Sequence, residues 1–77
     1  MVCDQAIAVA ERENRMAEAT KRINWLEAAQ EDGDITAEEE TELTALRTYR
    51  SELRRLDLSH ITDEESYDAI SWPEKPE

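Results

Sequence analysis

Over most of its length this sequence lacks the residues that interrupt a helix. Gly33 is the only glycine among the 77 residues, and the first of the two prolines is Pro73. Ala, Glu, Arg, Met and Leu dominate residues 3 to 31, and these residue types favour helices. An all-β fold needs turn residues at short intervals, which this chain does not offer. The sequence therefore predicts an all-α protein.

An apolar seam of helical period runs along the first of these segments. Its members follow one another at helical spacing: Val9, Met16, Ala19, Ile23 and Leu26. Arg12 interrupts the seam, so the pattern does not by itself place the first two or three turns in the core. Asp32-Gly33-Asp34 ends the helix, because Gly33 suits the left-handed position after a helix. We predict a first helix over about 3–31.

A second helix is predicted over about 36–56. Thr36 and Glu39 have the spacing of a capping box, in which each side chain accepts from the other residue's backbone N–H. Arg54 and Arg55 fall in the last turn, where positive charge is favoured by the helix dipole. The apolar stripe continues along this helix: Leu43, Leu46, Tyr49 or Arg50, Leu53 and Leu56.

The short turn between the helices predicts an antiparallel αα-hairpin. In this register Leu43 lies beside Ile23 and Leu26, and Leu53 comes near Met16. A two-helix hairpin buries one face per helix and is marginal alone, which favours a homodimer arranged as a four-helix bundle. The dimer would cover the seam residues of both copies: Val9, Met16, Ile23, Leu26, Leu43, Leu46 and Leu53.

The sequence divides into a helical hairpin over residues 1–58 and an irregular acidic tail over 59–77. Thr62 and Glu65 have capping-box spacing, which predicts a helical turn over 63–68. The string Trp72-Pro73-Glu74-Lys75-Pro76 is expected to be extended, because proline disfavours helical geometry in the residue before it. Trp72 either folds back over the start of the first helix, on Val2, Ile7 and Val9, or docks on another protein.

The charge balance limits the class of partner. Nine Lys and Arg against 20 Asp and Glu give a net charge of −11, which argues against nucleic acid and anionic membranes as partners. Residues 31–42 carry a net charge of −7, whereas residues 43–56 carry +3. The arginines of the basic stretch either pair across the hairpin with Glu11, Glu13 and Glu18 or grip an acidic partner.

The sequence gives no sign of catalysis, a metal or a cofactor. Cys3 and His60 are the single cysteine and histidine, which excludes a disulfide framework and a Cys/His zinc site within one chain. The turn resembles the second half of a calcium loop, but Ala28 and Gln30 stand where the first ligands are needed. No apolar run approaches the length of a membrane helix. A single thiol fits a reducing cytoplasm.

The residues that the core does not need are the candidates for partner binding. Tyr49 is expected in the core, and Trp25 lies either at the core edge or on the surface as an anchor. Arg and Trp are the residue types most often found as interface anchors. The candidate partner-binding residues are Arg50, Arg54, Arg55, Tyr67, Trp72 and Pro73.

Two runs of uncommon residue pairs occur in a definite order. The first comprises Glu18-Ala19-Thr20, Ile23, Leu26, Ala28, Ile35-Thr36, Glu38-Glu39 and Leu43. The second comprises Leu46-Arg47-Thr48-Tyr49-Arg50, Leu53, Arg55-Leu56-Asp57, Ser59, Ile70-Ser71-Trp72-Pro73 and Pro76. Together, over roughly 17–76, they resemble the C-terminal region of the tail fibre assembly proteins of tailed bacteriophages and prophages.

The resemblance implies a chaperone-type binding module for a trimeric tail fibre, acting in the bacterial host cytoplasm and in some cases staying at the fibre tip. Two features depart from the family pattern: Leu46 stands where Trp is usual, and Thr62–Asp68 is longer and more acidic. Members generally carry a larger N-terminal portion, so an isolated C-terminal domain or a truncated prophage remnant is expected. The alternative function is a self-associating structural hairpin without chaperone activity.

Overall fold

A computed structural model of the chain describes residues 3–76, which form three helices and no strand. Helix α1 spans Asp4–Asp32, α2 spans Ala37–Arg55 and α3 spans Glu64–Asp68. The two long helices pack side by side in opposite directions within a rod about 48 Å long. The predicted all-α fold class and the pairing of two long helices are confirmed.

The turn between α1 and α2 forms by local chemistry. Gly33 has a φ of 79°, and its N–H donates to the carbonyl of Gln30 while the N–H of Asp34 donates to that of Ala29. These two bonds make a Schellman motif, which satisfies carbonyls left free at the helix end. Thr36 and Glu39 then form the predicted capping box, with distances of 3.1 and 2.9 Å.

The main core lies between the two long helices. Ile23, Leu26 and Leu53 are fully buried, and Tyr49 joins them as predicted. Met16, Ile35 and Trp72 pack against the edge of this cluster. Its buried members are Ala19, Ile23, Leu26, Leu43, Leu46, Tyr49 and Leu53.

A second apolar cluster covers the part of α1 that α2 is too short to reach. Ala8 is fully buried beneath Leu58 and Ile61, which lie in the loop after α2. Arg12, which interrupts the sequence seam, donates from its guanidinium to the carbonyl of Leu56 at 3.1 Å. The amide of Gln5 donates to the carbonyl of Leu58 at 3.3 Å. The first turns of α1 therefore do have a core, built by loop residues.

The cap of α3 differs from the predicted one by one residue. Asp63, not Thr62, is the N-cap, and Ser66 rather than Glu65 completes the capping box. The Asp63 carboxylate accepts from the Ser66 N–H at 2.8 Å, and the Ser66 hydroxyl accepts from the Asp63 N–H at 3.1 Å. Aspartate is as good an N-cap as threonine or better, so it takes the position when the two are adjacent.

Residues 70–76 have no regular secondary structure. Ile70 packs on the second cluster and Trp72 on the main one, so this tail follows α1 towards the hairpin turn. No hydrogen bond joins residues 71–76 to another part of the described chain. Side-chain contacts therefore hold the tail: the packing of Trp72, its stacking with Arg15 and the ion pair of Lys75 with Glu18. The predicted strap of Trp72 over Ile7 and Val9 is wrong, because Trp72 packs on the main cluster and Ile70 packs with Val9 on the second one. The predicted contact with Val2 lies outside the described residues.

Candidate partner-binding surface

The candidate arginines of α2 differ in how far they are committed within the chain. Arg50 is half-buried and donates to the hydroxyl of Thr20 on α1 at 3.2 Å. Arg54 and Arg55 are exposed in the last turn, and neither has a carboxylate within 4.0 Å among residues 3–76. Arg54 and Arg55 are therefore the free cations of this set, whereas Arg50 helps to join the two helices.

The predicted pairing of the arginine stripe with Glu11, Glu13 and Glu18 is wrong. Arg47 is the one member of the stripe that forms an ion pair within residues 3–76, and its partner is Glu27 at 2.7 Å. The three expected acids pair instead with cations of α1 and of the tail. Those pairs are Arg15–Glu11, Arg12–Glu13 and Lys75–Glu18.

Tyr67 and Trp72 lie on different apolar clusters. Tyr67, in α3, is half-buried against the second cluster around Ala8. Trp72 is half-buried against the main cluster, with Pro73 half-buried beside it. The six candidate residues thus come from α2, α3 and the tail, and the two aromatic ones do not share one apolar cluster.

The indole of Trp72 is held by a cation. The guanidinium carbon of Arg15 lies 4.4 Å from the centroid of the Trp72 ring. Arg15 also donates to the Glu11 carboxylate at 2.8 Å, and this hydrogen bond is the main reason why the pKa of Arg15 is raised. Trp72 therefore contacts both Arg15 and the main cluster while staying partly exposed.

Trp25 is the most exposed tryptophan, with 55% of its surface accessible. Arg22, one turn earlier on α1, lies over the ring at 4.6 Å. Arg22 is itself fixed by two hydrogen bonds to the Glu42 carboxylate, of 2.6 and 3.0 Å, which lower the pKa of Glu42. Of the two predicted positions, the surface one is observed. The spacing of Arg22 and Trp25 could have indicated their contact.

His60 and Cys3 are both exposed, and His60 lies in the loop after α2. Within residues 3–76, no three His, Cys, Asp or Glu side chains gather in a way that could hold a metal ion. None of the described helices has the length and apolar character needed to cross a membrane.

A family model described as "Caudovirales tail fibre assembly protein, lambda gpK" matches residues 3–77. The match covers both long helices, the loop after them, α3 and the Trp-Pro tail. Comparison with curated proteins and with solved structures finds no match.

Proposed function

The chain belongs to the Caudovirales tail fibre assembly protein family, and from that membership we propose that it is a binding module that acts as a chaperone for the trimeric tail fibre. The match over residues 3–77 is the observation that carries this proposal. The module has no catalytic step: it binds the fibre protein during assembly. We place it in the bacterial host cytoplasm, and at the fibre tip where it stays bound.

The exposed chemistry of the chain supports a role in protein binding. Arg54 and Arg55 end α2 with two exposed guanidinium groups that are not neutralised by a described carboxylate. Trp72 and Pro73 present a partly exposed aromatic and proline surface beside the main cluster. Tyr67 and Arg50 complete the proposed partner-binding set. Arginine and tryptophan contribute most of the energy of many interfaces.

The test of the proposed function is direct binding to the fibre. The full chain and the purified tail fibre protein are mixed, and the dissociation constant is measured by titration calorimetry. We expect specific binding, and a yield of assembled fibre trimer that rises when the chain is co-expressed. A double variant, Arg54→Ala with Arg55→Ala, should weaken binding. Fibre that neither binds the chain nor gains yield from it would overturn the proposal.

A homodimer remains a prediction, but the surface available to it has changed. Ile23 and the four leucines of the predicted dimer seam are buried within one chain, so a second copy would have to contact outer helix faces. Sedimentation equilibrium on the isolated chain decides the question. A stable dimer that does not bind the fibre would favour the alternative function, a self-associating structural hairpin.

A further inference from the structure

Both tryptophans of the chain stack with an arginine of α1. Arg15 lies over the ring of Trp72 at 4.4 Å, and Arg22 lies over the ring of Trp25 at 4.6 Å. The two arginines are seven residues apart on α1, which is close to two full turns. They therefore project from the same side of the helix, with their Cα atoms about 10 Å apart along its axis.

Each of these two arginines also donates hydrogen bonds to a carboxylate. Glu11 accepts from Arg15 at 2.8 Å, and Glu42 accepts twice from Arg22. The guanidinium groups are thereby held over the rings, and the exposed Trp25 loses little further side-chain entropy when it binds. Burying a large exposed aromatic ring against a partner is favourable, and a ring already held in one orientation loses less entropy on binding.

The surface beside Trp25 is polar and, within residues 3–76, carries one unpaired positive charge. Lys21 is exposed and has no carboxylate within 4.0 Å in the described part of the chain. Glu18 lies nearby, and its ion pair with Lys75 of the tail is long, at 3.9 Å, and exposed. A shallow depression beside Trp25 is lined by Glu18, Lys21 and Arg22. An acidic group of a partner would find Lys21 unneutralised.

We propose that Trp25 and Trp72, held by Arg22 and Arg15, form one docking face for a segment of the tail fibre that presents apolar side chains to the two rings and a carboxylate to Lys21. This proposal rests on the proposed function and adds Trp25 and Lys21 to its binding residues. Arg22 is paired with Glu42 and Glu18 with Lys75, so Lys21 is the charge of this depression that has no partner within residues 3–76, and it favours an acidic group over a basic one. The exposed ring of Trp25 favours apolar side chains.

The experiment measures the affinity of the full chain for the trimeric fibre in three variants. Trp25→Ala should raise the dissociation constant at least about tenfold, as expected for an interface anchor, and lower the melting temperature only slightly, because the ring is mostly exposed. Lys21→Glu should weaken binding to a similar degree. Ile7→Ala is the matched control: Ile7 is also an exposed apolar residue of α1, 42% accessible, but lies about 27 Å further along the helix.

The fluorescence of Trp25 can be measured separately in a Trp72→Phe variant, in which Trp25 is the only tryptophan of the chain. Its emission should shift to shorter wavelength when the fibre binds. Wild-type affinity in Trp25→Ala, or emission that does not shift at saturation, would overturn the docking face and leave the proposed function standing. A loss in Ile7→Ala equal to that in Trp25→Ala would also overturn it. A wild-type chain that does not bind the fibre would overturn both proposals.

Discussion

The guanidinium of Arg12 donates a hydrogen bond to the carbonyl of Leu56, 44 positions later in the chain, at 3.1 Å. Leu56 is the residue that caps α2, and carbonyls at the end of a helix lack partners within it. Arg12 supplies such a partner from the facing helix. The bond also fixes where the loop leaves α2, and this loop carries Leu58 and Ile61 onto Ala8.

Arg12→Ala should lower the free energy of unfolding by about 1–2 kcal/mol, because a hydrogen bond from a charged donor is lost at a partly buried site. Urea unfolding followed by circular dichroism measures the change. Arg12→Lys retains the charge but not the planar donor group, so its free energy of unfolding should lie between those of the wild type and Arg12→Ala. A wild-type unfolding midpoint in Arg12→Ala would show that the bond contributes nothing.

Leu53→Ala and Leu46→Ala should each cost roughly 2–4 kcal/mol, because each leaves a cavity in the core between the long helices. Leu53 is fully buried and Leu46 is 3% accessible. Glu40→Ala, on the exposed face of α2, should stay within about 0.5 kcal/mol. Chemical denaturation of the three variants provides the comparison. Equal losses at all three positions are incompatible with the observed core.

Gly33→Ala should destabilise the hairpin by about 1 kcal/mol. The φ of 79° is the cause, since a Cβ would meet no other atom within 4 Å and steric crowding is absent. Gly33→Asn should cost less, because asparagine tolerates the left-handed region better. Thermal unfolding of both variants tests the ranking, and an alanine variant as stable as wild type would contradict it.

Acid should weaken α3 through its cap. Hydrogen bonds from the Ser66 N–H and hydroxyl hold the pKa of Asp63 below its ordinary value of 3.8. Because the folded-state pKa is lowered, the stabilisation is present above 3.8 and is lost as the pH falls through the lowered pKa. The free energy of unfolding should therefore exceed that of Asp63→Asn at neutral pH, and the difference should shrink on acidification. A pH-independent difference would contradict this assignment.

Trp72→Ala should affect both stability and binding. Removing a half-buried indole from the main cluster should cost about 1–2 kcal/mol, less than for a fully buried one. The exposed part of the ring is proposed to contact the fibre, so affinity should fall at least about tenfold, or roughly 1.4 kcal/mol. Calorimetric titration and thermal melting separate the effects. A lower melting temperature with unchanged affinity would assign Trp72 to the core alone.

The hairpin was predictable because its signals are local. Gly33, the Thr36 and Glu39 cap and the leucine spacing each act within a few residues, and all three appear as expected. The second cluster could not be predicted, because Ala8 contacts Leu58 and Ile61, which are about 50 residues away in the sequence. In the sequence Arg12 interrupts the apolar seam, whereas in the structure it donates to the backbone carbonyl of Leu56.

Part of the candidate surface was equally beyond local reasoning. Trp72 could be recognised as a strap or an anchor, but its contact with Arg15 joins residues 57 positions apart and has no sequence signal. The predicted pairing of the α2 arginines was wrong for a related reason. The sequence shows which acids lie near these arginines, but not which of the acids form ion pairs with other cations. Glu27, not Glu18, is within reach of Arg47.

The second cluster sets an order of events on the ribosome. The main core can close once α2 has emerged, because its contacts lie on either side of one short turn. Ala8 must wait for Leu58 and Ile61, about 50 residues later, and joining points so far apart has a larger entropic cost. The first turns of α1 are thus synthesised early but acquire their tertiary contacts late, and a nascent chain stalled after α2 would present them uncovered to chaperones and proteases.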